Sequence, residues 1–142
     1  MSDSVLQAKG NSIYQDTSTD LSAAIGKLVT FAAGVPAVSA SATVPAAGIV
    51  QDARTRTVAG TTTYQNSIAI TATLPGPVRA LVSATSAALA FGDSVMQAAD
   101  GTLTKDVGPG TARVVVGFCS DKNGAVAGDL AEFTLSMGDI RA

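Results

Sequence analysis

No histidine occurs anywhere in the 142-residue chain. That removes Ser-His-Asp and Cys-His catalysis, the commonest general acid–base group and the usual zinc ligand. A Ser-Lys nucleophile would need Lys9, Lys27, Lys105 or Lys122 buried beside a serine, and nothing in their spacing brings one there. The carboxylates are nearly all aspartates in turn-like places: Asp52, Asp93, Asp100, Asp106, Asp121 and Asp129. Aspartate caps the local backbone in turns, which explains that distribution without catalysis. "DKNG" from Asp121 begins like a calcium loop but lacks the remaining ligands and the terminal Glu, so it reads as a turn. "GPG" at Gly108 is followed by no helix start and no Lys-Ser/Thr, so it is no phosphate loop. Tyr14, Tyr64, Phe31, Phe91, Phe118 and Phe133 are too dispersed to form a stacking platform for a sugar or a base. The single cysteine, Cys119, lies in "VVVGFCSD", where apolar neighbours favour a buried structural thiol. The expectation is a chain that is not an enzyme and carries no metal and no cofactor.

The elements that hold these residues are short and β-like. "GKLVTF" is a strand candidate, "AAGVPAVSAS" a Gly-containing turn with a weak second strand, and "AAGIVQD" a short apolar run. "TTTYQNSIAITATL" alternates, with Ile68, Ile70, Ala72 and Leu74 on one side, the period of a half-buried strand. "PGP" at Pro75–Pro77 interrupts, and "VRALVS" resumes with Val78, Ala80 and Val82 facing one way. "GDSVMQA" and "GTLTKD" flank Asp100-Gly101, a dipeptide suited to a type I′ hairpin turn. "ARVVVGFCS" suits a strand buried on both faces, and "LAEFTLSM" turns Phe133, Leu135 and Met137 inward. "TDLSAAI" and "TSAALAF" could each hold one helical turn, with Thr19 or Asp20 and Thr85 or Ser86 as N-caps.

The fold class expected is mainly β, a barrel or sandwich-like body with at most one or two short helical turns. Residues 1–20 read as an extended N-terminal arm and 21–142 as a single β domain. That domain carries signs of a degenerate duplication, about 21–75 and 76–142. Gly26 matches Gly92, Gly34 matches Gly101, Gly48 matches Gly117 and Asp52 matches Asp121. Val58-Ala59-Gly60 matches Val126-Ala127-Gly128, and "IAI" at 68 aligns with "FTL" at 133.

Composition bears on partners. Charged residues make up 14% of the chain, against about 25% in an average soluble domain. Hydrophobic residues reach 46% with a mean hydropathy of +0.34, drawn mostly from small aliphatic side chains. So little charge leaves part of the surface to be covered by other chains, or else marks an ordinary Ala-rich domain. The net charge is −2 and basic residues are scattered, which argues against nucleic acid. No apolar run approaches a membrane span and no secretion signal opens the chain, so synthesis and folding in the cytoplasm are expected.

From Gly76 to Ser136 the chain resembles the capsid decoration, or cement, proteins of tailed bacteriophages. The resemblance is carried by the order and spacing of Gly76 with Val78, Gly92-Asp93 with Val95, and Asp100-Gly101 with Leu103 and Thr104. It continues through Val115-Val116-Gly117 and Ala127-Gly128-Asp129-Leu130. More loosely, it extends from Leu21 to Met137. The first twenty residues and "RTRTVAGTTTYQN", Arg54 to Asn66, depart from the pattern. What the resemblance implies is a β-tulip type of body and a homotrimer on the exterior of the virion. Its partner would be the major capsid protein, and its role head stabilisation against DNA pressure; the protein would be made in the host bacterial cytoplasm. The alternative is a tail, fibre or other surface β module that binds a host receptor or glycan. Contacts with the capsid or with sister subunits are expected at Val5, Leu6, Ile13 and Tyr14 of the arm, and at Arg54, Arg56 and Tyr64 of the polar loop.

Overall fold

The computed structural model describes residues 13–70 and 77–142. Its strands are β1 (Ile13–Asp16), β2 (Leu28–Ala32), β3 (Val35–Val38), β4 (Gly48–Val58) and β5 (Thr61–Ile70). After the break come β6 (Pro77–Leu81), β7 (Ser94–Gln97), β8 (Leu103–Lys105), β9 (Arg113–Cys119) and β10 (Leu130–Arg141). They form two antiparallel sheets, β1-β5-β4-β2-β3 and β6-β10-β9-β7-β8. Each sheet uses five consecutive strands, and both follow one connectivity: first, fifth, fourth, second, third. A single isolated bridge, Val82↔Leu103, joins the edges of the second sheet. The mainly β expectation matches this architecture.

The two halves also repeat hydrogen bond by hydrogen bond. The amide of Gly26 donates to Val50 O (2.8 Å), and that of Gly92 donates to Cys119 O (2.7 Å). Val50 N–H returns to Lys27 O and Cys119 N–H to Asp93 O, while Lys27 N–H meets Ala24 O and Asp93 N–H meets Ala90 O. Gly48 lies opposite Val29 and Gly117 opposite Val95. Val50 pairs with Ile68 as Cys119 pairs with Phe133. Gly26 and Gly92, at φ 83° and 91°, each turn the chain into the second strand of their half, a conformation that favours glycine.

Several local expectations need correction. Residues 13–16 are no free arm: they form β1, paired with Ala69–Asn66 of β5, and so supply the first strand of the first sheet. The first half therefore begins before residue 21. The type I′ geometry does not sit at Asp100-Gly101, where only Gly101 has positive φ and a five-residue loop joins β7 to β8. It sits at Ala33-Gly34 and Ala59-Gly60, where both residues have positive φ between directly paired flanks. Of the two helical turns, only Ser22–Ala24 exists, as a 3-10 turn with Leu21 at its N-cap. Around Thr85–Phe91 the chain runs as turn and coil, with Leu89 bridged to Ala125. Ala72, Leu74 and the side chain of Met137 lie outside the described residues.

The main core lies between the sheets. Leu28, Ile49 and Ala69 of the first meet Val78, Ala80, Val82, Val95, Leu103, Val114, Val116, Phe133 and Leu135 of the second. Each large side chain fully buried here stabilises by roughly 1.5–3 kcal/mol. The opposite face of the first sheet carries a smaller cluster, Val29, Val50 and Ile68, covered by Leu21 and Ala24. β9 is buried on both faces from Val114 to Val116, as its apolar run predicts, and Arg113 at its start is buried in an ion pair with Asp106. Backbone bonds join the halves directly: Leu81 N–H to Gly26 O (2.8 Å) and Leu28 N–H to Gly101 O (2.7 Å). The buried side chain of Gln97 adds a third joint. Its Oε1 accepts Ala46 N–H at 2.8 Å, and its Nε2 donates to Val44 O at 2.9 Å and Ser41 O at 3.2 Å.

Candidate functional site

Beyond Val50, β4 leaves the shelter of both sheets. A register irregularity places Gln51 as an extra residue between Val50↔Ile68 and Asp52↔Ser67. The Gln51 side chain donates to Arg79 O of β6 at 3.3 Å, which fixes the point of departure. From there β4 and β5 run on as a two-stranded ribbon to the Ala59-Gly60 turn, paired as far as Val58↔Thr61. Residues 54–58 of β4 and 61–63 of β5 are exposed on both faces. β2 covers β4 only at Gly48 and Ile49, and β1 covers β5 only from Asn66 onward. Ribbons of this kind are marginal alone in water. Here the base is held by both clusters, and Thr, Val and Tyr supply extended propensity.

The ribbon has two chemically different faces. Directly opposed residues share a face, so Gln15, Ser67 and Asp52 stand together, followed by Gln65 with Arg54 and Thr63 with Arg56. Arg54 Nε donates to Asp52 Oδ2 at 2.9 Å; both groups are exposed, and such pairs contribute little. Gln15 and Ser67 hydrogen bond across β1 and β5. With Thr17 these side chains line a shallow, open polar depression. Arg56 makes no ion pair among the described residues. The other face carries Tyr14, Asp16, Asn66, Ala53, Tyr64 and Thr55.

On that second face a polar group is buried, against the hydropathy of its residues. Asp16 and Asn66 are 5% and 1% exposed. Asn66 Nδ2 donates to Asp16 Oδ2 (3.1 Å) and to Thr19 O (2.6 Å). Ser18 donates to Asp16 Oδ1 through its hydroxyl (2.6 Å) and its amide (3.3 Å). Burial pushes the Asp16 carboxyl up, but these hydrogen bonds, Ser18 and Asn66 foremost, outweigh it and hold the group below its usual range. The cluster fastens β1 to β5 at the base of the ribbon. The only sequence signal for it is an Asp two residues ahead of a Ser, the signature of a local Asx turn.

The residues expected as contacts are thus only partly brought together. Val5 and Leu6 lie outside the described residues. Ile13 opens β1. Tyr14 is half exposed, donates to Gly34 O at 3.1 Å and meets Phe31 edge-on, with ring centroids 5.1 Å apart. Arg54 and Arg56 sit in a strand, not in a loop, because alternating Thr-Arg-Thr pairs with Thr62–Gln65 across the ribbon. Tyr64 is on the opposite face from both arginines. Tyr14 and Tyr64 share that face with Asp16 and Asn66 between them.

The aspartates of the motifs serve the backbone. Asp93 accepts Ala90 N–H (2.8 Å) and pairs with Lys105, and both interactions depress its carboxyl pKa. Asp129 accepts Val126 N–H at 2.9 Å and Asp100 accepts the Thr102 hydroxyl. No three His, Cys, Asp or Glu side chains come together in metal-binding fashion among the described residues. Cys119 is buried. No described helix is long and apolar enough to cross a membrane. No protein-family profile matches the chain, and no curated protein or solved structure is detectably similar to it.

Proposed function

We propose that this chain is a structural protein of a tailed-phage virion, bound to the outside of the assembled head and holding neighbouring major-capsid subunits together. The observation that carries the reading is the ribbon from Asp52 to Ser67, standing out of a doubled, tightly joined β body. A clamp needs a stiff base and a projecting surface, and it needs no active site. The resemblance supplies the partner: its motifs fall at turns and strand positions that build the body, while the ribbon lies where the chain departs from the pattern.

A protein that binds the closed shell and not its dissociated subunits stabilises the shell by mass action. Assembly as a homotrimer makes each later contact intramolecular, so modest individual contacts add up to firm binding. The test is the copy number in density-purified virions, measured by quantitative mass spectrometry against the major capsid protein. Hundreds of copies in a simple ratio to capsid subunits are expected. A handful would move the chain to a tail or fibre that binds a host receptor or glycan, and absence would overturn the virion reading.

A further inference from the structure

The four strands that border the two sheets are β1, β3, β6 and β8. Three carry a device against further pairing. In β3, Pro36 lies opposite Phe31, one pair beyond the turn, so its missing N–H is on the solvent side. Pro77 opens β6, and β8 is three residues long and ends in Lys105. The outer edge of β4 beyond the Gln51 irregularity has none of these. Seven residues, Asp52 to Val58, run there without Pro, Lys or a further register shift.

The hydrogen-bonding groups on that edge follow from the turn. In a two-residue hairpin the pair flanking the turn, here Val58↔Thr61, exchanges both hydrogen bonds, and pairs then alternate. Arg56 and Arg54 therefore bond to β5. The N–H and C=O groups of Ala53, Thr55 and Thr57 point away from it, along the edge that β2 leaves unpaired beyond Ile49. A strand laid against these three residues would place its alternate side chains on the face of Arg54 and Arg56. Asp52 offsets one of those charges, and Arg56 has no carboxylate partner among the described residues. The intervening side chains would meet only Ala53, Thr55 and Thr57, which are small or β-branched.

We infer that the free edge of β4 accepts an extended segment of a partner protein by strand addition, with carboxylates at alternate positions facing Arg54 and Arg56. This deepens the clamp reading by naming the kind of capsid segment held, and rests on that reading only for the partner's identity. The recognition is main-chain pairing for affinity and cross-strand charge for register.

The experiment uses the isotope-labelled full chain and two capped synthetic peptides, one alternating Thr and Glu, the other alternating Thr and Lys. At millimolar concentration the Glu peptide is expected to shift the amides of Ala53, Thr55 and Thr57 and slow their exchange. The Lys peptide should leave them alone. T55P, which removes one outward N–H without touching a bond to β5, should abolish the response, and unchanged protection of the Thr63 and Gln65 amides, which bond to β4, would show the ribbon intact. R56E should weaken Glu-peptide binding roughly threefold or more, the scale of one opposed charge pair. Silent amides with the Glu peptide, equal response to both peptides, or undiminished binding by T55P would each overturn the inference. The virion copy number is independent of all three, so failure here and failure of the clamp reading are told apart.

Discussion

Val58-Ala59-Gly60 and Val126-Ala127-Gly128 are the same tripeptide at matching places in the two halves, and they do opposite things. In the first, Ala59 and Gly60 take φ of 51° and 80°, the strands stay paired to the tip, and the ribbon stands in solvent. In the second, only Gly128 has positive φ; its amide bonds back to Val82 O at 3.1 Å, and Asp129 N–H closes the turn on Val126 O at 3.1 Å. Leu89 and Ala125 then bridge the loop to the body. β4 has 11 residues where β9 has 7. One half has spent its fourth and fifth strands on reach, the other on closure. The same connectivity can thus supply both the anchor and the probe.

The largest difference between the halves is expected at the matched glycines Gly117 and Gly48. A Cβ on Gly117 would lie 2.0 Å from Thr134 O, at φ 150°, where backbone must yield. On Gly48 it would meet Ile68 Cγ2 at 2.6 Å, a side-chain atom, without positive φ. G117A should destabilise by about 3 kcal/mol or more, and G48A by about 1–2 kcal/mol, in urea titrations. Equal losses would mean that the backbone at Gly117 yields as readily as the Ile68 side chain at Gly48, and would remove this difference between the halves.

The Asp16–Asn66 cluster has no counterpart in the second half, where the matching register holds Ala80 and Ala131. Asn66→Ala should cost about 1–3 kcal/mol, because it leaves a buried carboxylate short of a donor. The matched Ala131→Ser, by contrast, breaks no existing hydrogen bond.

Acid should separate the two matched strands β1 and β6 in the same way. The folded pKa of Asp16 is depressed. Its contribution is therefore complete above the unfolded value of about 3.9 and is lost as pH falls through the folded pKa. Amide exchange in β1 should accelerate below that point before exchange in β6 does, and simultaneous loss would contradict the assignment.

The smallest effect is a change of sign. Ala59→Gly relieves a left-handed alanine and should stabilise the ribbon, whereas Ala127→Gly adds freedom to the unfolded chain where no strain exists. Each change is about 0.4–1 kcal/mol, read as opposite shifts in thermal midpoint.

Much of the body was legible in the sequence because its signals are local. Alternation marked Ile68 and Ile70, the apolar run marked Val114–Val116, and glycines at 26 and 92 marked the matching turns. The β4 side of the ribbon, Arg54 to Thr57, reads as a loop because its residues are polar on both faces. Period-2 reading detects a strand only when one face is buried. β1 escapes the pattern for a related reason. Its buried members include Asp16, which hydropathy scores as surface, and only the donors Ser18 and Asn66 make that burial tolerable. Propensity favours the type I′ turn at Asp-Gly, yet strand pairing at Ala32↔Val35 and Val58↔Thr61 forces it on Ala-Gly.

The reciprocal bonds Leu81 N–H to Gly26 O and Leu28 N–H to Gly101 O have a mechanical consequence. Both fall at the entry to β2, which the second half holds through Leu81 at the end of β6 and through Gly101 in the loop between β7 and β8, and Gln97 fastens the loop ahead of β4. A pull on the ribbon along its axis stretches β4 and β5 together and loads the ladders that anchor them, β4–β2 and β5–β1, in shear, with their bonds sharing the tension, and passes the remainder across these joints into the second sheet. A pull sideways peels these ladders one rung at a time. The molecule should therefore resist stretching far better than prying, and its rupture force should depend on the direction from which the ribbon is held.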